Sequence, residues 1–151
     1  MTMEIERQFL MSGFPEGLVL GENATVYQAY LSTEPEVRIR CKDDGIRNKY
    51  TLTIKGNGSL CRAETEIEIS EREFNELSII VGNIPIKKEY KRYLLNNGEG
   101  LEVSKVDDEW YYGEVEFESI EQANNWSIPD SLNEFIREEV TMDSRYKMKN
   151  Y

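Results

Sequence analysis

The sequence predicts an α+β domain that is mainly antiparallel β. Two observations carry this. Up to Glu118 most of the chain falls into short runs in which polar and apolar side chains alternate, the period of a half-buried strand. Short turn signals such as Asp43-Asp44-Gly45, Asn57-Gly58 and Asn97-Gly98 separate these runs. Turns of that length join antiparallel strands; a parallel crossover needs a dozen residues or more. At 151 residues the chain fits one domain, 1–151, long enough to bury a core.

The first strand runs from Met3 to Leu10. Alternation sets Glu4, Glu6 and Gln8 on one face and Met3, Ile5, Arg7 and Phe9 on the other. Two carboxylates two residues apart on a strand point the same way, close enough to share a divalent cation or to repel each other without one. Taken alone, such a pair also fits a strand that faces water. Ser12 to Gly17, with two glycines and a proline, is a loop. Thr25 to Leu31 is rich in β-branched and aromatic residues and reads as the second strand. Val37 to Lys42 then sets Arg38, Arg40 and Lys42 against Val37, Ile39 and Cys41. Tyr50 to Lys55 places Thr51, Thr53 and Lys55 together. Leu60 to Ile69 does the same for Arg62, Glu64, Glu66 and Glu68.

Ser70-Glu71-Arg72-Glu73 has the spacing of a capping box, and Phe74, Leu77 and Ile80 recur at helical intervals. These predict a helix over 71–81, ended near Gly82. Strands follow over Ile86 to Leu95, Leu101 to Val106 and Trp110 to Glu118, the last with Glu114, Glu116 and Glu118 on one face. A second capping box at Ser119 to Gln122 opens a short helix through Trp126. Pro129-Asp130-Ser131 opens another through about Glu138, and the tail from Arg145 to Lys149 adds a final turn.

Composition narrows the chemistry. There is no histidine, which excludes His-based acid–base catalysis, Ser-His and Cys-His nucleophiles and the usual zinc sites. A metal here must be held by carboxylates and water, so it must be a hard cation: Mg²⁺, Mn²⁺ or Ca²⁺. No run approaches the length of a membrane span, and the N-terminus lacks an export signal. Cys41 and Cys61 therefore read as free thiols of a cytoplasmic protein. The net charge of −11 argues against nucleic-acid or anionic-membrane partners. It is uneven: 13 Lys and Arg stand against 15 Asp and Glu through Leu95, and 5 against 14 beyond it. That acidic, apolar-poor last third offers no dimer seam and leaves the oligomeric state open.

Seven or eight such strands fit an open sheet or a closed barrel. An open sheet would simply wet its charged faces. Here the charges are sorted by strand: the polar face of Val37 to Lys42 is wholly cationic, and the first and last strands contribute acids. Solvation gives no reason for sorting. A closed barrel with a polar lumen does, with acids on one part of the wall and arginines opposite to grip an anion.

The motifs resemble the CYTH superfamily, the triphosphate tunnel metalloenzymes. Glu4-Ile5-Glu6-Arg7-Gln8-Phe9 resembles its E-x-E-x-K opening, Gln28 to Leu31 its second strand, and Arg38-Ile39-Arg40 its R-x-R strand. Thr53-Ile54-Lys55 resembles the lysine strand and Arg62-Ala63-Glu64-Thr65-Glu66 the R-x-E-x-E strand. Arg92-Tyr93 resembles the end of K-x-R-Y and Glu114-Val115-Glu116-Phe117 the second acidic pair. Glu139-Val140-Thr141 with Arg145-Tyr146 resembles the C-terminal signature. The resemblance implies an eight-stranded closed antiparallel tunnel with a few short flanking helices. It further implies a small-molecule triphosphate or polyphosphate ligand, with Mg²⁺ or Mn²⁺.

Residue by residue, it implies metal binding by Glu4, Glu6, Glu114 and Glu116, and triphosphate binding by Arg38, Arg40, Lys55, Arg62 and Arg92. Glu4, Glu6, Lys55, Arg92 and Lys88 would serve catalysis, with Glu64, Glu66 and Gln8 in support. Three positions depart from the pattern: Gln8 replaces a lysine, Tyr90 a lysine and Ser104 an aspartate. The expected activity is metal-dependent hydrolysis of tripolyphosphate or a nucleoside triphosphate. The alternatives are a polyphosphate- or nucleotide-binding module impaired by the three departures and, more distantly, a class IV type adenylate cyclase.

Overall fold

The computed structural model describes residues 2–151. Nine strands form one sheet: β1 (Thr2–Met11), β2 (Val19–Thr33), β3 (Glu36–Asp43), β4 (Asn48–Lys55), β5 (Cys61–Glu68), β6 (Ile86–Leu94), β7 (Gly100–Val106), β8 (Trp110–Glu116) and β9 (Ile136–Glu139). The hydrogen-bonded order is β5-β4-β3-β2-β6-β7-β8-β1-β9, and an additional β5–β1 pairing closes the first eight strands into a barrel. Closure leaves those eight with no free lateral edge, as a barrel must. Every pairing is antiparallel.

β1 is the seam. Its residues from Glu6 to Met11 pair with β8, while Thr2 to Ile5 pair with β5. Where β5 leaves, β9 takes over the register at Phe9 to Met11. This accounts for a departure from the sequence reading, which puts a helix from Pro129 to about Glu138. The chain makes only a 3₁₀ turn at Asp130–Leu132 and then extends as β9. Backbone groups on the vacated edge of β1 need partners, and a four-residue strand supplies them. β2 is also longer than its β-rich centre suggests, because Val19 and Leu20 continue the ladder against Leu94 and Tyr93 past an irregularity around Gly21.

The barrel is apolar outside and polar inside. Ile5, Phe9, Met11, Leu101, Val103 and Val115 point outward and are buried beneath the C-terminal segment that carries Ala123, Trp126 and Leu132. Helix α1 (Glu71–Val81) covers the outer face of β2 to β4 through Phe74, Leu77 and Val81, which pack with Ala29, Ile39 and Cys41. The capping box forms as its spacing predicts: the Glu73 amide donates to Ser70 Oγ, and Glu73 accepts from the Ser70 amide. Gly82 ends the helix in the left-handed region at φ 73°, where a side chain would be strained. Helix α2 (Ile120–Asn125) is capped by Ser119. Two 3₁₀ turns, Ser144–Tyr146 and Met148–Asn150, form the tail. Among the described residues no helix is long and apolar enough to cross a membrane.

Candidate active site

The register decides which charges meet. Across the β1–β8 seam Glu6 lies opposite Glu116 and Gln8 opposite Glu114, and across the β1–β5 seam Glu4 lies opposite Arg62. Arg38 and Arg40 on β3 are flanked by Tyr30 and Gln28 of β2 and by Thr53 and Thr51 of β4. Counted round the closed order, β3 and β8 are four strands apart in either direction. The arginine pair and the Glu114/Glu116 pair therefore face each other across the diameter.

Between them lies a cavity of about 190 Å³. Its lining carries eight glutamates and five lysines or arginines, so the basic residues are outnumbered. Glu4, Glu6, Gln8, Arg38, Arg40, Lys55, Arg62, Glu64, Glu66, Glu114 and Glu116, all expected at the site, line this one space. Lys88 and Arg92 do not. Lys88 is fully enclosed and donates to the Tyr112 hydroxyl at 2.8 Å. Burial and the nearby Arg40 guanidinium pull its ammonium well below the ordinary lysine value. The Arg92 guanidinium lies against Gly100, in the space a side chain there would fill.

One corner is a buried ion-pair network. Lys55 Nζ donates to both Glu4 oxygens, at 2.8 and 3.0 Å, and stands 3.5 Å from Glu64. Arg62 reaches Glu4 at 3.4 Å and Glu36 at 3.0 Å. Burial alone would raise the Glu4 carboxyl, but Lys55 and Arg62 outweigh it and hold it at about 2. Glu66 accepts from Thr53 Oγ1 at 2.9 Å.

The other corner is crowded with acids. Carboxylate oxygens of Glu4, Glu6 and Glu116 lie within 4.8 Å of one another. Burial and neighbouring Glu114 push Glu6 well above the usual carboxylate range, while Glu114, bonded to Glu6 and near Lys88, is lowered. Glu116 is exposed at the rim, where partial desolvation and then Glu102, Glu4 and Glu114 raise it to about 7. Carboxylates squeezed until they take up protons are the environment a hard cation relieves, and an all-oxygen donor set suits Mg²⁺, Mn²⁺ or Ca²⁺. Glu4, Glu6 and Glu116 fit such an ion, with Glu114 hydrogen-bonded to Glu6 beside them.

The arginine wall has the complementary property. Arg40 is anchored by Gln28 Oε1 at 3.1 and 3.3 Å, and Gln28 donates in turn to the Tyr30 hydroxyl. Arg38 is only 8% exposed, yet its Nε has no hydrogen-bond partner among the described residues. Burial pulls Arg40 down and Arg38 adds to this, the cost of two guanidiniums side by side. An anion between them would satisfy the free donor and relieve the repulsion.

Tyr30, Glu36, Tyr112, Lys147 and Met148 also line the cavity and were not expected there; Glu102, the acid two residues before the substituted Ser104, lines it too. For Glu36 and Glu102 a signal existed: each shares the lumen-facing parity of a recognised residue, Arg38 or Ser104. For Lys147, in an irregular tail, there was none. The substituted positions are spoken for. Gln8 donates its amide to the Tyr146 carbonyl at 2.9 Å, Tyr90 donates to Glu102 at 2.9 Å, and Ser104 lies beside Tyr112.

A closed antiparallel barrel with acids and arginines facing across a polar lumen defines a tunnel protein. Comparison with known proteins says which kind. No family model matches the chain. The inorganic triphosphatase of Nitrosomonas europaea is 31% identical over 150 residues, covering 97% of this chain and 94% of that protein. The crystal structure of the inorganic triphosphatase NE1496 superposes with a TM-score of 0.66 at 30% identity, over 99% of this chain and 94% of that one. PH1819 from Pyrococcus horikoshii shares the fold, with a TM-score of 0.63 at 19% identity over 80% of this chain and 82% of its own. The chain belongs to the CYTH superfamily of triphosphate tunnel proteins.

Proposed function

We propose that this protein binds inorganic tripolyphosphate in its tunnel and hydrolyses a terminal phosphoanhydride bond. The observation that carries this is the facing pair of unmet needs in one cavity: Arg38, buried with a free Nε, against crowded Glu4, Glu6 and Glu116. The relative named inorganic triphosphatase supports the substrate class. Arg38, Arg40, Lys55 and Arg62 would grip phosphate oxygens, and positioning with charge stabilisation is most of what phosphoryl transfer asks of a protein. Glu4, Glu6 and Glu116 would hold Mg²⁺ or Mn²⁺, which when bound offsets phosphate charge and lowers the pKa of water. Water adds to the terminal phosphorus, the bridging P–O bond breaks, and the products are orthophosphate and diphosphate. Lys55 and Arg62 keep Glu4 ionised beside that site.

A second reading, a binder with little chemistry, is favoured by the fate of the substituted positions. Gln8 and Tyr90 spend their donors on Tyr146 and Glu102, so neither reaches into the lumen as a cation. Phosphate release from tripolyphosphate, with and without Mg²⁺ or Mn²⁺, separates the two. Metal-dependent release is expected. No release above blank, together with thermal stabilisation by tripolyphosphate, would favour the binder, and neither effect would overturn both readings.

A further inference from the structure

Lys147 is 7% exposed, lines the cavity, and its Nζ has no hydrogen-bond partner among the described residues. An ammonium carries three donors, and burying it with none satisfied is costly. Lysine ordinarily avoids this by reaching for water or a protein acceptor, as its near neighbour Lys149 does by donating to the Thr33 carbonyl at 3.2 Å. Lys147 is held in place by the tail on either side of it. Before it, the Gln8 amide donates to the Tyr146 carbonyl at 2.9 Å. The Gln8 backbone is also tied to the same segment, donating to Thr141 Oγ1 at 3.0 Å and accepting from the Val140 amide at 2.8 Å. After it, Met148 packs against Val106 and Tyr112 inside the barrel. With both neighbours fixed, the Lys147 side chain is set in the lumen by its backbone and not by a hydrogen bond of its ammonium.

We infer that Lys147, carried by the C-terminal tail and not by a barrel strand, is a phosphate-binding residue of the tunnel, and that Gln8 is the residue that positions it. This rests on the proposed triphosphate reading and extends it. The tail is then part of the binding site as well as a cover for one end of the barrel. An anion bound between Arg38 and Lys147 meets two unspent donor groups, one from the wall and one from the tail. Those donors are buried before the ligand arrives, so little side-chain freedom is lost on binding.

The test is calorimetric titration of tripolyphosphate in Mg²⁺ into wild type, Lys147→Met, Lys147→Gln and Lys147→Arg, with a thermal melt of each unliganded protein. Loss of one charge-assisted hydrogen bond predicts affinity roughly 10- to 100-fold weaker for the Met and Gln variants. Lys147→Arg keeps the charge and should stay within about threefold of wild type. Unliganded Lys147→Met should melt at or above the wild-type temperature, because a buried unpaired charge is gone; a purely structural lysine would show a fall. If Lys147→Met does not fold, the Gln and Arg variants decide. Wild-type affinity in the Met or Gln variant overturns this inference alone. A matched loss of melting temperature and affinity in both assigns Lys147 to the fold and also overturns it. No binding by wild type overturns the inference together with the triphosphate reading.

Discussion

Replacing Lys55 by methionine probes the ion-pair corner, because it removes the partner that most lowers Glu4 while filling similar volume. Glu4 is held at about 2 against an ordinary 4.5. That gap corresponds to about 3 kcal/mol of folding stability at neutral pH. Arg62 remains at 3.4 Å in the variant, so about 3 kcal/mol is the upper end of the expected loss. In a chain of 151 residues it lowers the melting temperature by roughly 6–12 °C. The sign follows from a depressed carboxyl. Its contribution is fully present above pH 4.5 and is lost as pH falls toward 2, so at pH 3.5 about 1.4 kcal/mol is already gone. Thermal melts of wild type and Lys55→Met at pH 7 and pH 3.5 should therefore differ by less in acid. The double variant Lys55→Met/Glu4→Gln should recover part of the loss, since no buried charge is left stranded. An equal deficit at both pH values, or none at pH 7, would refute the claim that Lys55 holds Glu4 ionised.

Three further outcomes are expected. Glu116→Gln should raise the melting temperature of the metal-free protein above about pH 7 and leave it unchanged near pH 4, because a carboxyl raised to about 7 adds stability only while protonated; wild type should be stabilised by Mn²⁺ in melts with and without the ion, and the variant should lose that stabilisation. Arg38→Met should weaken tripolyphosphate binding by calorimetry about 10-fold or more, the loss of a charge-assisted contact from a guanidinium whose Nε has no partner within the protein's described residues. Gln8→Ala, which deletes the bond to Tyr146, should cost about 1 kcal/mol and speed amide hydrogen exchange across Thr141 to Asn150 more than elsewhere.

Much of the candidate site was legible because a strand has a period of two. Once Glu4 and Glu6, Arg38 and Arg40, Lys55, Arg62, and Glu114 and Glu116 were assigned to strands, alternation put each set on one face, and sorting of charge by strand made a shared lumen the economical reading. Parity does not give depth along a strand or side-chain direction at its end. Lys88 and Arg92 share a face with the site, yet Lys88 is turned to Tyr112 and Arg92 to Gly100. Lys147 was invisible for the opposite reason: its segment has no period, and its direction is set by Gln8 and Met148.

The sequence by itself determined eight of the nine strands, the first helix and its cap, the exclusion of histidine-based sites, and which charges share a face. These are local consequences of alternation, turn residues and side-chain donor type. Only the tertiary structure decided that β5 returns to β1, that β9 fills the edge β5 leaves, and that β3 stands across from β8. Those are choices among distant pairings, each set by which backbone edges still need partners once the others are made. They set the arginines of β3 across the lumen from the glutamates of β8 and bring Lys147 into the tunnel.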